Sequence, residues 1–317
     1  MRIAGSTVFG VADSDAALRE QAAMVALLRL RPDGLSWAEI ALAVADDGSS
    51  ERVWREHTST GLFSDPRIAE ISADAKRDVV AWRSEGIGIS TVVDDDYPRA
   101  LRDVHQYPPI LFTRGDLRPD DPAVSVVGSR RASSAGSIDA REVARGLCRR
   151  SMTVVAGLAE GIDTSAHQAA LEIGGRTVAV VGTGIRRVYP PQNERLQSQI
   201  ARHGAVISQF WPDAPPRRQT FPIRNAVMSG YGIATVIVEA GEHSGTRIQA
   251  RLAVDHGRPV VLFERVVRST SWGRDLVDRP GVHVATGVAE AMHAVDSVVD
   301  SNRGIAQLVS ALVPPMA

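Results

Sequence analysis

The sequence predicts an α/β protein: an extended Rossmann-like parallel sheet flanked by helices, preceded by a small all-helical N-terminal module. Three observations predict it. From residue 122 onward, short β-branched runs alternate with amphipathic segments of helical length. Those runs are apolar throughout, which suits strands buried on both faces and therefore parallel. Residues 14–83 instead carry apolar side chains at helical spacing.

The elements follow in order. "DAALREQAAMVALLRL" has helical periodicity, with Asp13 or Ser14 as its cap and Pro32-Asp33-Gly34 as its stop. "LSWAEIALAVA" repeats the pattern with Ser36 as N-cap, and helices over 51–57 and 67–84 complete a module spanning 1–84. No basic stripe marks it. Residues 85–120 form a connector with two short strands, "STVV" and "ILFTRG", and fixed turns at Tyr97-Pro98 and Pro108-Pro109. It leads into a domain reaching residue 297. The strands there are "AVSVVGS", "TVVAGLA", "TVAVVGT", "AVISQF", "ATVIVEA" and "PVVLF", with "VHVATG" as an added edge. A helix, "VAEAMHAVDSVV", and a loose tail over 298–317 close the chain.

Composition narrows the function classes. The 317 residues are 44% hydrophobic and 23% charged, as in ordinary globular proteins, with a formal net charge of −1. An anion site must therefore be a local patch. Lys76 is the only lysine among 36 basic residues, and Cys148 the only cysteine. A cysteine-cluster zinc site and an intramolecular disulfide are excluded. The N-terminus lacks the apolar run of a signal peptide, and no stretch is apolar for long enough to span a membrane. The expectation is a cytoplasmic protein.

Ligands of an open parallel sheet bind at the carboxyl ends of its strands. Four glycine-bearing loops meet there: Gly128-Ser129-Arg130 after the first strand, Gly157 and Gly161 after the second, Gly182 and Gly184 after the third, and Ser244-Gly245 after the fifth. Glycine lets backbone N–H groups approach a ligand, and hydroxyls and helix N-termini favour an anion. A phosphate-type site is expected. It is not a Walker A loop, since Lys76 lies in a helical segment, nor a dinucleotide fingerprint, since Arg187 stands where "GTGIRR" needs its third glycine.

"FPIRN", Phe221 to Asn225, precedes a helix above the same edge. Pro222 suits a first helical position. Arg224 in a first turn opposes the helix dipole and calls for an anion. An aromatic beside an arginine fits single-strand recognition, by base stacking and backbone charge. Equally, Phe221 can staple the helix while Arg224 makes a salt bridge. Asp163 and His167, four apart, have the spacing of a metal pair, but a capping Asp and a locally bonded His is the plainer reading. Glu239 can act as a general base or accept bonds from loop N–H groups, and the second role is favoured.

Together "VSVVGSRRASSAG", "VVAGLAEGIDTSAHQAAL", "TVAVVGTGIRRVYPPQNERL", "FPIRNAVMSG" and "TVIVEAGEHSGT" resemble, in order and spacing, the DNA-processing protein A (DprA, or Smf) family. The resemblance covers residues 88–262 and extends weakly to 295. It implies a single-stranded DNA-binding protein without catalytic activity or cofactor. Such a protein dimerises, protects incoming strands in natural transformation and helps to load RecA recombinase. It implies that Arg130, Phe221, Arg224 and Asn225 line the DNA pocket. Ala226 and Gln192 stand where the family commonly has basic residues, "LFERVVRSTSWG" replaces its "VPG", and "TRIQA" replaces a threonine-alanine pair. The Ser-Glu after the fourth strand is Ser208-Gln209 here, and the winged-helix module of many members is expected to be missing. Arg217, Arg218, Arg247 and Arg251 are candidate compensating charges. The alternative is a Rossmann-like protein that senses or cleaves nucleotides in signalling or defence, with Arg224 and Glu239 acting on a nucleoside monophosphate.

Overall fold

The structure is a computed structural model and describes residues 11–59 and 65–312. The N-terminal residues 1–10 and the closing Val-Pro-Pro-Met-Ala lie outside the described residues. The chain forms two compact units. The first runs to Tyr97 and includes Tyr107–Phe112; the second comprises Pro98–Gln106 and the chain from Thr113 onward.

The first unit holds helices α1 (Val11–Leu30), α2 (Trp37–Asp47), α3 (Ser50–Thr58) and α4 (Pro66–Ser84), the last three started by local capping chemistry. Asp13 and Ser14 lie inside α1 rather than capping it. Ser36 and Glu39 form a capping box on α2, Ser49 caps α3, and Asp65 caps α4 ahead of Pro66. Glu20 of α1 accepts from the Ser49 hydroxyl and the Ser50 N–H, binding α1 to the start of α3. Strand β1 is Gly88–Thr91, two residues ahead of the expected "STVV", because Asp94 accepts the Thr91 N–H and turns the chain there. Gln21 accepts from Arg83 and donates to the Ile89 carbonyl at 2.7 Å. That side chain holds β1 to the helices, so the first unit extends past residue 84. Strand β2 (Ile110–Gly115) follows as expected, and Trp82 meets Phe112 edge-on at 5.2 Å.

The second unit carries a short helix α5 (Arg99–Arg102) and seven parallel strands: β3 (Ala123–Gly128), β4 (Thr153–Ala156), β5 (Thr177–Val180), β6 (Ala205–Ser208), β7 (Ala234–Glu239), β8 (Val260–Phe263) and β9 (Val282–Ala285). Their order is β6-β5-β4-β3-β7-β8-β9. The chain builds outward from β3 to β6, then returns to lay β7 on the other side of β3. The loops after β3 and β7 therefore leave in opposite directions, and a crevice opens between them.

Alternation sorts the two faces. Val124 and Val126 of β3, Val236 of β7 and Phe263 of β8 share one core with α6 (Ser134–Arg149) and α7 (Ile162–Glu172). Val295 and Val298 of the last helix join that core. Ser125, one residue out of phase, faces the other side and donates to the Met228 carbonyl of α9 (Thr220–Tyr231) at 2.9 Å. Helix α8 (Glu194–His203) precedes β6, and α10 (Thr246–Asp255) follows β7. After β8 come α11 (Glu264–Ser269) and α12 (Ser271–Leu276), which replace a plain turn. Helix α13 spans Val288–Leu312, so the segment from 298, expected as a loose tail, stays helical to Leu312.

Candidate nucleic-acid interface

Helix α9 brings Phe221 and Arg224 over the carboxyl ends of the strands. Its first residue is Thr220, so Pro222 sits third rather than first in the helix. The position tolerates proline because the opening N–H groups of a helix have no partner within it. Gly182 lies under the Phe221 ring; a Cβ there would stand 2.7 Å from it. Tyr189 packs against the same ring, centroids 5.4 Å apart, and the Arg130 guanidinium lies 5.4 Å from its centroid on the β3 loop. Tyr189 is a site residue that sequence reasoning passed over, although the Tyr-Pro in its block was the available signal.

Arg224 is 5% exposed. It donates to the Gly157 carbonyl at 2.7 Å and to the Val180 carbonyl, at the ends of β4 and β5, and to Asn225 Oδ1 at 3.2 Å. Strand-end carbonyls thus supply the negative partner that its place in a helix's first turns demands. Burial lowers its pKa to about 10, with Asp163 opposing that shift and Arg130 adding to it. Asp163 is pushed above the ordinary carboxylate range by burial, against the pull of Arg224 and the N–H groups of Ala159 and Gly157. Its Oδ2 accepts from the Gly157 N–H at 2.9 Å.

The N-terminus of α6 is already supplied with an anion. Glu239, at the end of β7, accepts from the Ser133 N–H at 2.9 Å and from the Ser133 hydroxyl, at the start of α6. Asp163, in the first turn of α7, puts a carboxylate near that helix start, while its hydrogen bonds go to the loop N–H groups of Gly157 and Ala159. His167 does not face the crevice. It is fully buried, its Nδ1 lies 2.6 Å from Thr177 Oγ1, and burial drives its pKa down to about 3. Asp163, His167 and Glu239 are thus engaged in loop and core hydrogen bonds, as the plainer readings expect.

Two hollows result. A recess of about 400 Å³ lies between Arg130, Phe221, Tyr189 and Gly157, with Arg224 behind. A solvent-open groove of about 1430 Å³ runs from Gly128, Ser129 and Arg130 past Phe221 and Asn225 to Ser244 and Gly245. The expected loops after β3 and β7 therefore meet, with α9 between them. Gly161 and Gly184 serve the framework instead. Gly161 (φ +79°) runs against the Ser129 and Arg130 backbone, and Gly184 against that of Trp211 and Pro212. Arg130 and Arg131 are exposed and carry no ion pair among the described residues. The hollows thus offer an aromatic face beside free positive charge, backed by a buried guanidinium.

The model of the DNA recombination-mediator protein A family matches residues 88–296. DNA processing protein DprA of Streptococcus pneumoniae is 40% identical over 171 residues, 54% of this chain and 60% of that protein. The chain covers 52% and 60% of the lengths of two of its curated relatives. The X-ray structure of S. pneumoniae DprA superimposes with a TM-score of 0.66 at 29% identity, covering 84% of this chain and 96% of that one. A structure describing the unique single-stranded DNA binding mode of DNA processing protein A from Helicobacter pylori has the same fold. It matches with a TM-score of 0.59 at 22% identity, over 66% of this chain and 96% of that one.

Proposed function

The chain belongs to the DNA recombination-mediator protein A family, and on that premise we propose that it binds single-stranded DNA across the crevice between β3 and β7. The observation that carries the reading is the Phe221 ring, flanked by Tyr189 and by the unpaired guanidinium of Arg130. A flat apolar face takes a base of any identity, and the neighbouring charge takes its phosphate. Gly128 and Ser129 tie the β3 loop to the starts of α10 and α7, through the Thr246 hydroxyl and the Ile162 N–H, and leave Arg130 at the surface. Arg224 acts from beneath: its carbonyl bonds fix α9, and its charge adds to the field without direct exposure. Arg217 and Arg218, exposed ahead of α9, extend the positive path.

The protein works as a binding protein, not an enzyme. A nucleotide-cleaving site needs Glu239 free at a glycosidic bond, whereas its carboxylate is held by Ser133. Protection of incoming strands, delivery to RecA recombinase, pairing with a second copy and a cytoplasmic setting belong to the same reading. They rest on family membership. Among the described residues no helix is long and apolar enough to cross a membrane.

The test is fluorescence anisotropy of labelled oligo-dT against a duplex of equal length, across a salt series. Preference for the single strand with an affinity that falls as salt rises is expected. Equal affinity for duplex, or no binding at low salt, overturns the reading.

A further inference from the structure

Gln249 lies in α10, one turn inside its start, and is 1% exposed. It lines the groove opposite Asn225 and Met228 of α9. Among the described residues, neither its Oε1 nor its Nε2 has a hydrogen-bond partner. Its neighbours differ. Asp163 accepts backbone N–H groups, Asn225 accepts from Arg224, and Ser244 donates to Thr246, whose hydroxyl reaches the Gly128 carbonyl at 3.2 Å. A buried amide carries two donors and an acceptor oxygen, and leaving all of them unmet is costly. An apolar side chain would close the groove floor without that cost.

We propose that the Gln249 amide, closed to solvent in the free protein, turns about its side-chain torsions to pair with the edge of a nucleobase lodged at the α10 end of the groove; the proposal rests on the single-strand reading above. The chemistry favours a base over a phosphate. A phosphate accepts only, and it would face Oε1 with like polarity. The basic side chains lining the groove, Arg130, Arg131 and Arg224, belong to the β3 loop and α9, whereas the α10 end carries the carboxylate of Glu242. Gly241 and Gly245 have open space where a Cβ would stand, so the approach over this loop is clear. A primary amide sets a donor beside an acceptor, as the pairing edge of every natural base does in one order or the other. Turned one way it meets thymine or guanine, turned the other way adenine or cytosine. The strand is thus held by a base edge without a sequence requirement.

The experiment compares oligo-dT with the same oligomer built from N3-methylthymidine, which keeps the phosphates and the stacking face but lacks the donor on the pairing edge. Both are titrated by anisotropy into wild type and Gln249→Met. Wild type should bind the methylated oligomer about tenfold more weakly, the weight of one or two buried hydrogen bonds. Gln249→Met should bind both oligomers alike, at the weaker level, with an unchanged salt slope. Equal affinity of wild type for the two oligomers overturns the proposal without recourse to any variant, and so does discrimination that survives in Gln249→Met. In both cases binding to oligo-dT persists and the single-strand reading stands. Absence of oligo-dT binding by wild type removes that reading and this proposal together.

Discussion

The Arg224 guanidinium donates to the Gly157 carbonyl at 2.7 Å, so a charge from α9 closes the end of β4. The same group reaches the Val180 carbonyl at the end of β5. One side chain therefore orders two glycine-bearing loops and the helix that presents Phe221. Arg224→Met leaves both carbonyls without this donor and should cost about 1–3 kcal/mol of stability, read as a lower urea midpoint. A side chain at Gly157 would run into the guanidinium. Gly157→Ala should therefore destabilise the protein as well and weaken DNA binding through displaced loops.

Asp121 anchors the opposite end of the sheet. Its side chain is 3% exposed, accepts from Arg176 Nε at 2.9 Å and Tyr231 OH at 2.8 Å, and takes the Thr153 hydroxyl. Asp121→Ala leaves Arg176 with Asp116 alone and the Tyr231 and Thr153 hydroxyls without this acceptor, and should cost about 1–3 kcal/mol in chemical denaturation. DNA affinity of the folded fraction should be unchanged, since the network lies away from the crevice.

Acid should weaken the fold through its buried imidazoles. His167 has its folded pKa lowered by burial to about 3, against 6.5 unperturbed. Below pH 6.5 the unfolded chain gains a proton that the folded chain refuses, so stability falls as pH drops and levels off near the folded value. At pH 5 this linkage amounts to about 2 kcal/mol for His167. His256, half-buried beside His105 and Arg258 and lowered to about 4, acts in the same direction. Asp163, raised by burial, acts oppositely, from the ordinary carboxylate value upward. Urea midpoints at pH 7.5 and 5 should differ accordingly, and a pH-independent midpoint over that window would refute the burial argument.

Glu239→Gln should leave nucleotides as inert as they are with wild type, because the carboxylate serves Ser133 and not a substrate. Chromatography of nucleotides incubated with each protein checks this; base release by wild type that is lost in the variant would reverse the assignment.

The inner strands β3 to β8 were legible because each is a short apolar run buried on both faces, and a tight register left little freedom for "TVAV" or "ATVIVE". β1 was displaced because the turn at Asp94, not propensity, sets its end. Phe221 and Arg130 were legible as chemistry. Arg224 was read only halfway: its need for a negative partner followed from the helix dipole, but that strand-end carbonyls meet the need depends on distant residues brought together by folding. Gln249 gave no local signal, since an unpaired amide is a property of its surroundings.

The most direct measurement is the affinity of oligo-dT for wild type, Phe221→Ala and Arg130→Ala at low and moderate salt. Phe221→Ala should lose about 1–3 kcal/mol at both salts, as expected of a lost stacking face. Arg130→Ala should lose more at low salt than at moderate salt, with a shallower salt slope. Unchanged affinity in both variants would place the strand elsewhere and contradict the account of the crevice.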